Sequence, residues 1–325
     1  MNKTSYQEKL IEKIIKKIER NGGKDCLSSI ILTGSFGRGE PTFVTDDEGI
    51  LHLKSDIEIA LVFPKTSQKK RVELLIKNVS SDFTEDLNLM PINEKRVKKA
   101  YNFNFSIRSP KYKTIFTYDL FNGSKTIWGV DFIGKKTVSL ADVDIYESKR
   151  LVANRIGELV YLSNTVNQNE YSYVRKQWKG KLVLAIVSAW LICEGEYVSS
   201  YHGQYEKVCE KNEKIKTLFG TEFLDEYKKV FHFLRDNGQA YEVEDELLCK
   251  YVRAIDKYFE KKQIKVPKVN SASRVLKYSI KYIESGVKYG VKGFENNILQ
   301  SLISEYWTHS RNLIQTANVW HKVLY

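Results

Sequence analysis

Asp56 and Glu58 stand two residues apart in the run Ser55-Asp56-Ile57-Glu58-Ile59-Ala60-Leu61-Val62-Phe63, whose apolar content predicts a buried strand. Alternate strand residues share a face, so the two carboxylates project side by side, with Ile57 and Ile59 opposite. Carboxylates that close repel each other unless positive charge lies between them. A hard divalent cation with oxygen ligands meets that need, and Mg²⁺ commonly arrives with the phosphates of a substrate. Upstream, Ile30-Ile31-Leu32 runs into Thr33-Gly34-Ser35-Phe36-Gly37-Arg38-Gly39-Glu40, an apolar run ending in a turn with three glycines, a serine and an arginine. Backbone N–H groups and the Ser35 hydroxyl of such a turn suit phosphate oxygens. Arg38, flanked by glycines, either reaches a distal phosphate or stays a solvated loop arginine. For the two acids the alternative is the wet face of an amphipathic strand. Ala60 and Val62 lie on that same face and make it apolar beyond its first residues, which places the acids at the mouth of a cleft.

Several elements must position these groups. Leu10, Ile11, Ile14, Ile15 and Ile18 predict a one-faced helix over residues 5–20, closed by Asn21-Gly22-Gly23. Residues 29–33 predict the strand that delivers the chain to the Gly-Ser turn. Asp46-Asp47-Glu48-Gly49 predicts the tip of an inserted hairpin between that turn and the acids. Val72, Leu75, Ile76 and Val79 mark a second amphipathic helix; residues 87–90 read as a strand and 94–100 as a helical turn. Residues 114–121 predict a further strand, joined through Asn122-Gly123 to residues 125–129 as a hairpin. Beyond residue 142 the character turns helical, over 148–164, 173–195, 222–237, 242–262, 272–282 and 295–317. A helix between strands, then helices alone, predicts an α+β chain: an N-terminal mixed β-sheet with flanking helices, followed by an all-α domain. The expected division is 1–142 and 143–325, with a sub-boundary near 267.

Gly34-Ser35 followed by Asp56-Ile57-Glu58 on a strand resembles the nucleotidyltransferase superfamily that includes DNA polymerase β and the aminoglycoside nucleotidyltransferases. The segment between Ser35 and Asp56 is longer than usual for that family, and Glu58 replaces the commoner second Asp. The resemblance implies a polymerase β-like fold and a third acid on a later strand, for which Asp119 is the best candidate. It further implies two Mg²⁺ ions, one held by Asp56, Glu58 and Asp119 and one by Asp56 and Glu58. The implied reaction is in-line transfer of a nucleoside monophosphate from a triphosphate to a hydroxyl, with Asp119 also able to take the hydroxyl proton. Gly34, Ser35 and Arg38 would grip the distal phosphates. Asn154-Arg155 and Lys181 resemble an Asn-Arg pair and a lysine that face the nucleotide in bacterial relatives with a helical partner domain; ordinary surface charge is the alternative for each.

Composition narrows the classes. The 42% hydrophobic and 28% charged fractions, with 20 Tyr and 15 Phe, are those of a folded globular chain. The net charge of +12 divides evenly, +6 in residues 1–150 and +6 in residues 151–325, with no basic tail. Such an excess attracts a triphosphate or a nucleic acid, or is simply a solvated surface. Cys26, Cys193, Cys209 and Cys249 have no metal-ligand spacing and read as reduced cytoplasmic thiols. The N-terminus is not a signal peptide, and no apolar run reaches membrane-spanning length, so no membrane partner is expected. Gly34-Ser35-Phe36-Gly37 is not a nucleophile elbow, and the glycine run lacks the Gly-Lys-Ser/Thr of a P-loop. The expected partners are a nucleoside triphosphate and a small hydroxylated acceptor, aminoglycoside-like or sugar-like. A template-free RNA enzyme, a degenerate binding partner and a protein-directed transferase remain as alternatives. Neither a basic tail nor an RNA-binding module favours nucleic acid.

Overall fold

The computed structural model describes residues 3–45, 49–101, 114–134, 137–165, 168–235 and 240–264, together with Ile303 and Tyr306. The chain is mixed α+β and divides into two compact units, Met1–Asp144 with Val198–Tyr201, and Ile145–Tyr197 with His202–Tyr325.

In the first unit, helix α1 (Lys3–Arg20) buries Leu10, Ile14 and Ile18, the fourfold spacing that its sequence announces. Gly22, with φ +82°, turns the chain into the single helical turn α2 (Gly23–Cys26). Strand β1 (Ser29–Leu32) follows, wholly buried, and ends at the turn α3 (Gly34–Gly37). Strands β2 (Phe43–Thr45) and β3 (Leu51–Leu53) pair antiparallel, Phe43 opposite Leu53, so the segment between Ser35 and Asp56 is a hairpin. Its tip, at 46–48, lies outside the described residues. Strand β4 (Ile57–Phe63), helix α4 (Lys69–Ser80), strand β5 (Leu87–Asn93) and helix α5 (Glu94–Tyr101) complete the first run of elements. Helix α6 (Ile115–Asn122) and strand β6 (Lys125–Gly129) follow.

The main sheet has the order β5-β4-β1-β6. Strand β1 is antiparallel to β4, with Leu32 opposite Ile59, and to β6; β4 and β5 are parallel, with Glu58 opposite Asn88. Period-two alternation divides the core into two layers. Ile30, Leu32, Ile57, Ile59, Leu61 and Phe63 pack with Leu10, Ile14, Ile18, Val72, Leu75 and Val79 from α1 and α4. On the opposite face Ile31, Ala60, Val62 and Ile92 pack with Val97 of α5 and with Leu120 and Phe121 of α6. Each fully buried Ile, Leu, Val or Phe among them contributes about 1.5–3 kcal/mol.

One expectation fails here. Residues 114–121 form a helix, not a strand. The buried residues Thr117, Leu120 and Phe121 are spaced three and four apart, a helical period hidden in a run of aromatic and β-branched residues. The Thr114 hydroxyl accepts from the Thr117 N–H at 3.1 Å, an N-cap that starts the helix. Asn122-Gly123 is therefore the helix end rather than a hairpin tip. The Gly123 N–H donates to the Asp119 carbonyl at 2.8 Å, and the Asn122 amide bridges to the backbone of Val138 at 2.8 and 3.1 Å.

Every regular element of the second unit among the described residues is a helix. Helices α7 (Glu147–Thr165) and α8 (Gln168–Glu194) form a long pair, and α8 ends at Gly195, with φ +73°. Helices α9 (Tyr201–Glu210) and α10 (Asn212–Phe219) were not legible in the sequence; α11 (Phe223–Arg235) and α12 (Asp245–Lys261) fall within the expected stretches. The core is aromatic, with Phe219 stacked on Phe223 at 4.3 Å and Phe223 edge-on to Tyr251 at 4.6 Å. Buried Lys179 of α8 is satisfied by Glu242 at 2.7 Å, the Val243 carbonyl and Asp245 at 3.0 Å. The helices expected at 272–282 and 295–317 and the sub-boundary near 267 lie outside the described residues, apart from the buried Ile303 and Tyr306. No helix among the described residues is long and apolar enough to cross a membrane.

Candidate active site

The Gly-Ser turn and the Glu58 strand are built against each other. Antiparallel pairing continues past Leu32 and Ile59: both the Thr33 N–H and the Thr33 hydroxyl donate to the Glu58 carbonyl, at 2.9 and 3.1 Å. Gly34 takes the left-handed conformation, φ +60°. A methyl group there would overlap a Glu58 carboxylate oxygen and lie 3.3 Å from the Glu58 Cβ. Glycine is thus required twice over, for the backbone angle and for the carboxylate that occupies the space a side chain would take. Asp56 is exposed at the mouth of the strand and Glu58 is half-buried behind it.

Ser35 is 7% exposed, and its hydroxyl oxygen has no hydrogen-bond partner. A buried, unsatisfied hydroxyl carries a desolvation cost of about 1–3 kcal/mol, and it stands one residue from the glycine that touches Glu58. A Ser35→Ala variant is expected to fold at least as stably as wild type, because it removes that orphan. If the turn holds a nucleoside triphosphate, as the resemblance implies, the same variant should bind it several-fold more weakly. Thermal melting and calorimetric titration on one preparation check both halves, and a serine that serves only the fold would lose stability and leave binding unchanged.

Arg38 is engaged inside the first unit. Its guanidinium lies 3.4 Å from Glu40 and 5.0 Å from the centre of the Tyr201 ring, with its side chain 11% exposed. Glu40 in turn accepts from the Ser200 hydroxyl at 2.6 Å and from the Tyr201 N–H at 3.0 Å. Gly37 and Gly123 approach closely: a methyl on Gly37 would meet the Gly123 carbonyl at 2.8 Å, and one on Gly123 would meet Ser199 at 2.9 Å. Arg38 and Glu40 therefore fasten the segment Val198–Tyr201 beside the turn. A solvated loop arginine is not what the structure contains.

Asp119 lies on helix α6 rather than on the expected strand, and its carboxylate does not gather with those of Asp56 and Glu58 into a metal-binding group. The Gly123 N–H ends the helix on the Asp119 carbonyl, and a methyl on Gly123 would meet the Arg38 Cγ at 3.2 Å. Burial first, and next the Asp119 charge, hold the neighbouring Tyr118 phenol above its ordinary value. The sheet brings a different acid to Asp56: the Ile57 N–H donates to the Asp86 carbonyl at 2.8 Å, so Asp86 stands at the same edge, one step before β5. The parallel register of β4 and β5 that places Asp86 there has no local signal in the sequence. Among the described residues, no three His, Cys, Asp or Glu side chains gather into a metal-binding group. Asp56 and Glu58 offer two carboxylates, a number that suits Mg²⁺ when substrate phosphates complete its shell.

Asn154, Arg155 and Lys181 belong to the second unit. The structure brings two of them to one ring: the Arg155 guanidinium lies 5.6 Å and the Lys181 ammonium 4.3 Å from the centre of Trp178. Arg155 also pairs with Glu158 at 2.5 Å, and the Asn154 side-chain oxygen is buried without a partner. The sequence signal for Trp178 is its position three residues before Lys181 on one helix.

The sequence matches no protein-family model and no curated protein. The candidate site therefore rests on its own geometry and on the resemblance of Gly34-Ser35 and Asp56-Ile57-Glu58.

Proposed function

We propose that the protein is a Mg²⁺-dependent nucleotidyltransferase with the polymerase β-like fold. It would transfer a nucleoside monophosphate to a hydroxyl of a small acceptor, aminoglycoside-like or sugar-like. The observation that carries this reading is the close fit of Glu58 to a left-handed Gly34, beside a buried and unpartnered Ser35 hydroxyl. A strand pairing alone needs neither the glycine nor the orphan.

In this reading Asp56 and Glu58 would hold Mg²⁺, which would supply charge neutralisation for the phosphates. Asp119 is the third acid that the resemblance implies, although the three carboxylates do not gather in this structure. The acceptor oxygen attacks the α-phosphorus, the bond from that phosphorus to the pyrophosphate oxygen breaks, and the acceptor proton passes to the Asp119 carboxylate. Ser35 donates to a distal phosphate oxygen and so gains the partner it lacks. Arg38 contributes positive charge from its place between Glu40 and Tyr201. Asn154, Arg155 and Lys181 are proposed to face the nucleotide, with Trp178 fixing the two cations.

The even charge distribution favours a small acceptor over RNA. An RNA enzyme making 6–10 phosphate contacts loses on the order of a hundred-fold or more in affinity between 50 and 200 mM salt. The expected result is weak RNA binding at both salts, and pyrophosphate release with a panel of aminoglycosides and sugars that changes little between them. Submicromolar, steeply salt-dependent RNA affinity with RNA-stimulated pyrophosphate release would move the assignment to a template-free RNA enzyme.

A further inference from the structure

We propose that the helical unit carries a second ligand site, for an organic anion with a flat apolar body, between the C-terminal end of α8 and helices α10 and α12. The cavity there has a volume of about 850 Å³, within the range of small-molecule sites. Its floor is apolar, made by Trp190, Leu218 and Ala254, with Trp190 only 2% exposed. Its walls are basic: Lys214, Lys250, Arg253, Lys257 and Lys261 face two acids, Glu194 and Glu213.

Both acids are already engaged. Glu194 accepts from the Tyr258 hydroxyl, from Lys262 at 3.1 Å and from Lys214 at 3.4 Å, while Glu213 pairs with Lys216 at 3.2 Å. Lys250 is paired with Glu222. Arg253, Lys257 and Lys261 succeed one another four residues apart on one face of α12. An anion seated over that face would meet positive charge from each of them. An ordinary solvated helix face has the charges without a concave apolar floor beneath them. Trp190 lies nine residues, roughly 13 Å of helix, beyond Lys181, so this cavity is separate from the Arg155–Trp178–Lys181 group. The same charge repels a polycationic aminoglycoside. The inference is independent of the nucleotidyl-transfer reading.

The test uses the full chain in EDTA, which silences a Mg²⁺-dependent site. 1-Naphthyl phosphate supplies the flat body and the anion, and calorimetry reads its binding. The expected result is saturable one-to-one binding, weakened at least ten-fold in the double variant Lys257→Glu, Lys261→Glu. Both lysines are exposed, and the melting temperature checks that the fold persists. Thr217→Trp, which fills the cavity without changing its charge, should weaken binding equally. Uncharged 1-naphthol and inorganic phosphate should each bind at least ten-fold more weakly than the naphthyl phosphate. Absence of saturable binding overturns the proposal, as does unchanged affinity in both variants. Inorganic phosphate matching the aromatic phosphate also overturns it, since that is the behaviour of surface charge alone.

Discussion

An Asp56→Asn variant is expected to lose Mg²⁺-dependent pyrophosphate release by well over a hundred-fold while melting at the wild-type temperature. Asp56 precedes the buried run of β4 and is exposed, so no packing depends on its charge. Asparagine keeps the shape and removes the anionic oxygen. Mutating an outer-shell partner of a metal typically costs roughly 10–100-fold, and losing a ligand proposed to be shared by two ions should cost more. Steady-state pyrophosphate release and thermal melting, measured together, decide the matter. Normal turnover in the variant would remove Asp56 from the mechanism, and a lower melting temperature would mark it as structural.

Gly34→Ala is expected to damage both stability and nucleotide binding. A non-glycine residue at φ +60° costs roughly 1–2 kcal/mol, before any clash is counted. At about 2–4 °C per kcal/mol for a domain of 150–250 residues, the melting temperature should fall by roughly 2–8 °C. The added methyl also displaces the Glu58 carboxylate, so binding of a Mg²⁺-triphosphate should weaken ten-fold or more. Gly39 supplies the control. It too has a positive φ, +75°, but a methyl there meets nothing within 4 Å. Gly39→Ala should therefore lose stability and keep binding. Equal binding in the two variants would show that the contact between Gly34 and Glu58 has no part in holding a ligand.

What was legible in the sequence had a local period or a local turn. The acid-bearing strand alternates, α1 repeats its isoleucines every four residues, and Asp-Asp-Glu-Gly marks the hairpin between the turn and the acids. Residues 114–121 misled because Ile, Phe, Thr and Tyr favour strands, while the Thr114 cap and the packing of Leu120 and Phe121 on the sheet favour a helix. Asp119 was consequently placed on the wrong kind of element. Other parts of the site depend on partners far apart in the chain. Nothing local tells that Glu40 holds Ser200 and Tyr201, about 160 residues on, or that β5 lies parallel to β4 and so brings Asp86 beside Asp56. The buried, unpartnered Ser35 hydroxyl likewise appears only once the turn is folded.

The Gly34–Ser35 turn and the Asp56–Glu58 pair are proposed to hold a Mg²⁺-nucleoside triphosphate together. Thermal melting of the wild-type chain with each of the four triphosphates, with Mg²⁺ and again with EDTA, tests it most directly. At one hundred times its dissociation constant a bound nucleotide stabilises the fold by about 2.7 kcal/mol. A rise in melting temperature is expected with at least one triphosphate, and it should vanish in EDTA and in Asp56→Asn. No shift with any of the four, or a shift indifferent to Mg²⁺ and to Asp56, would contradict it.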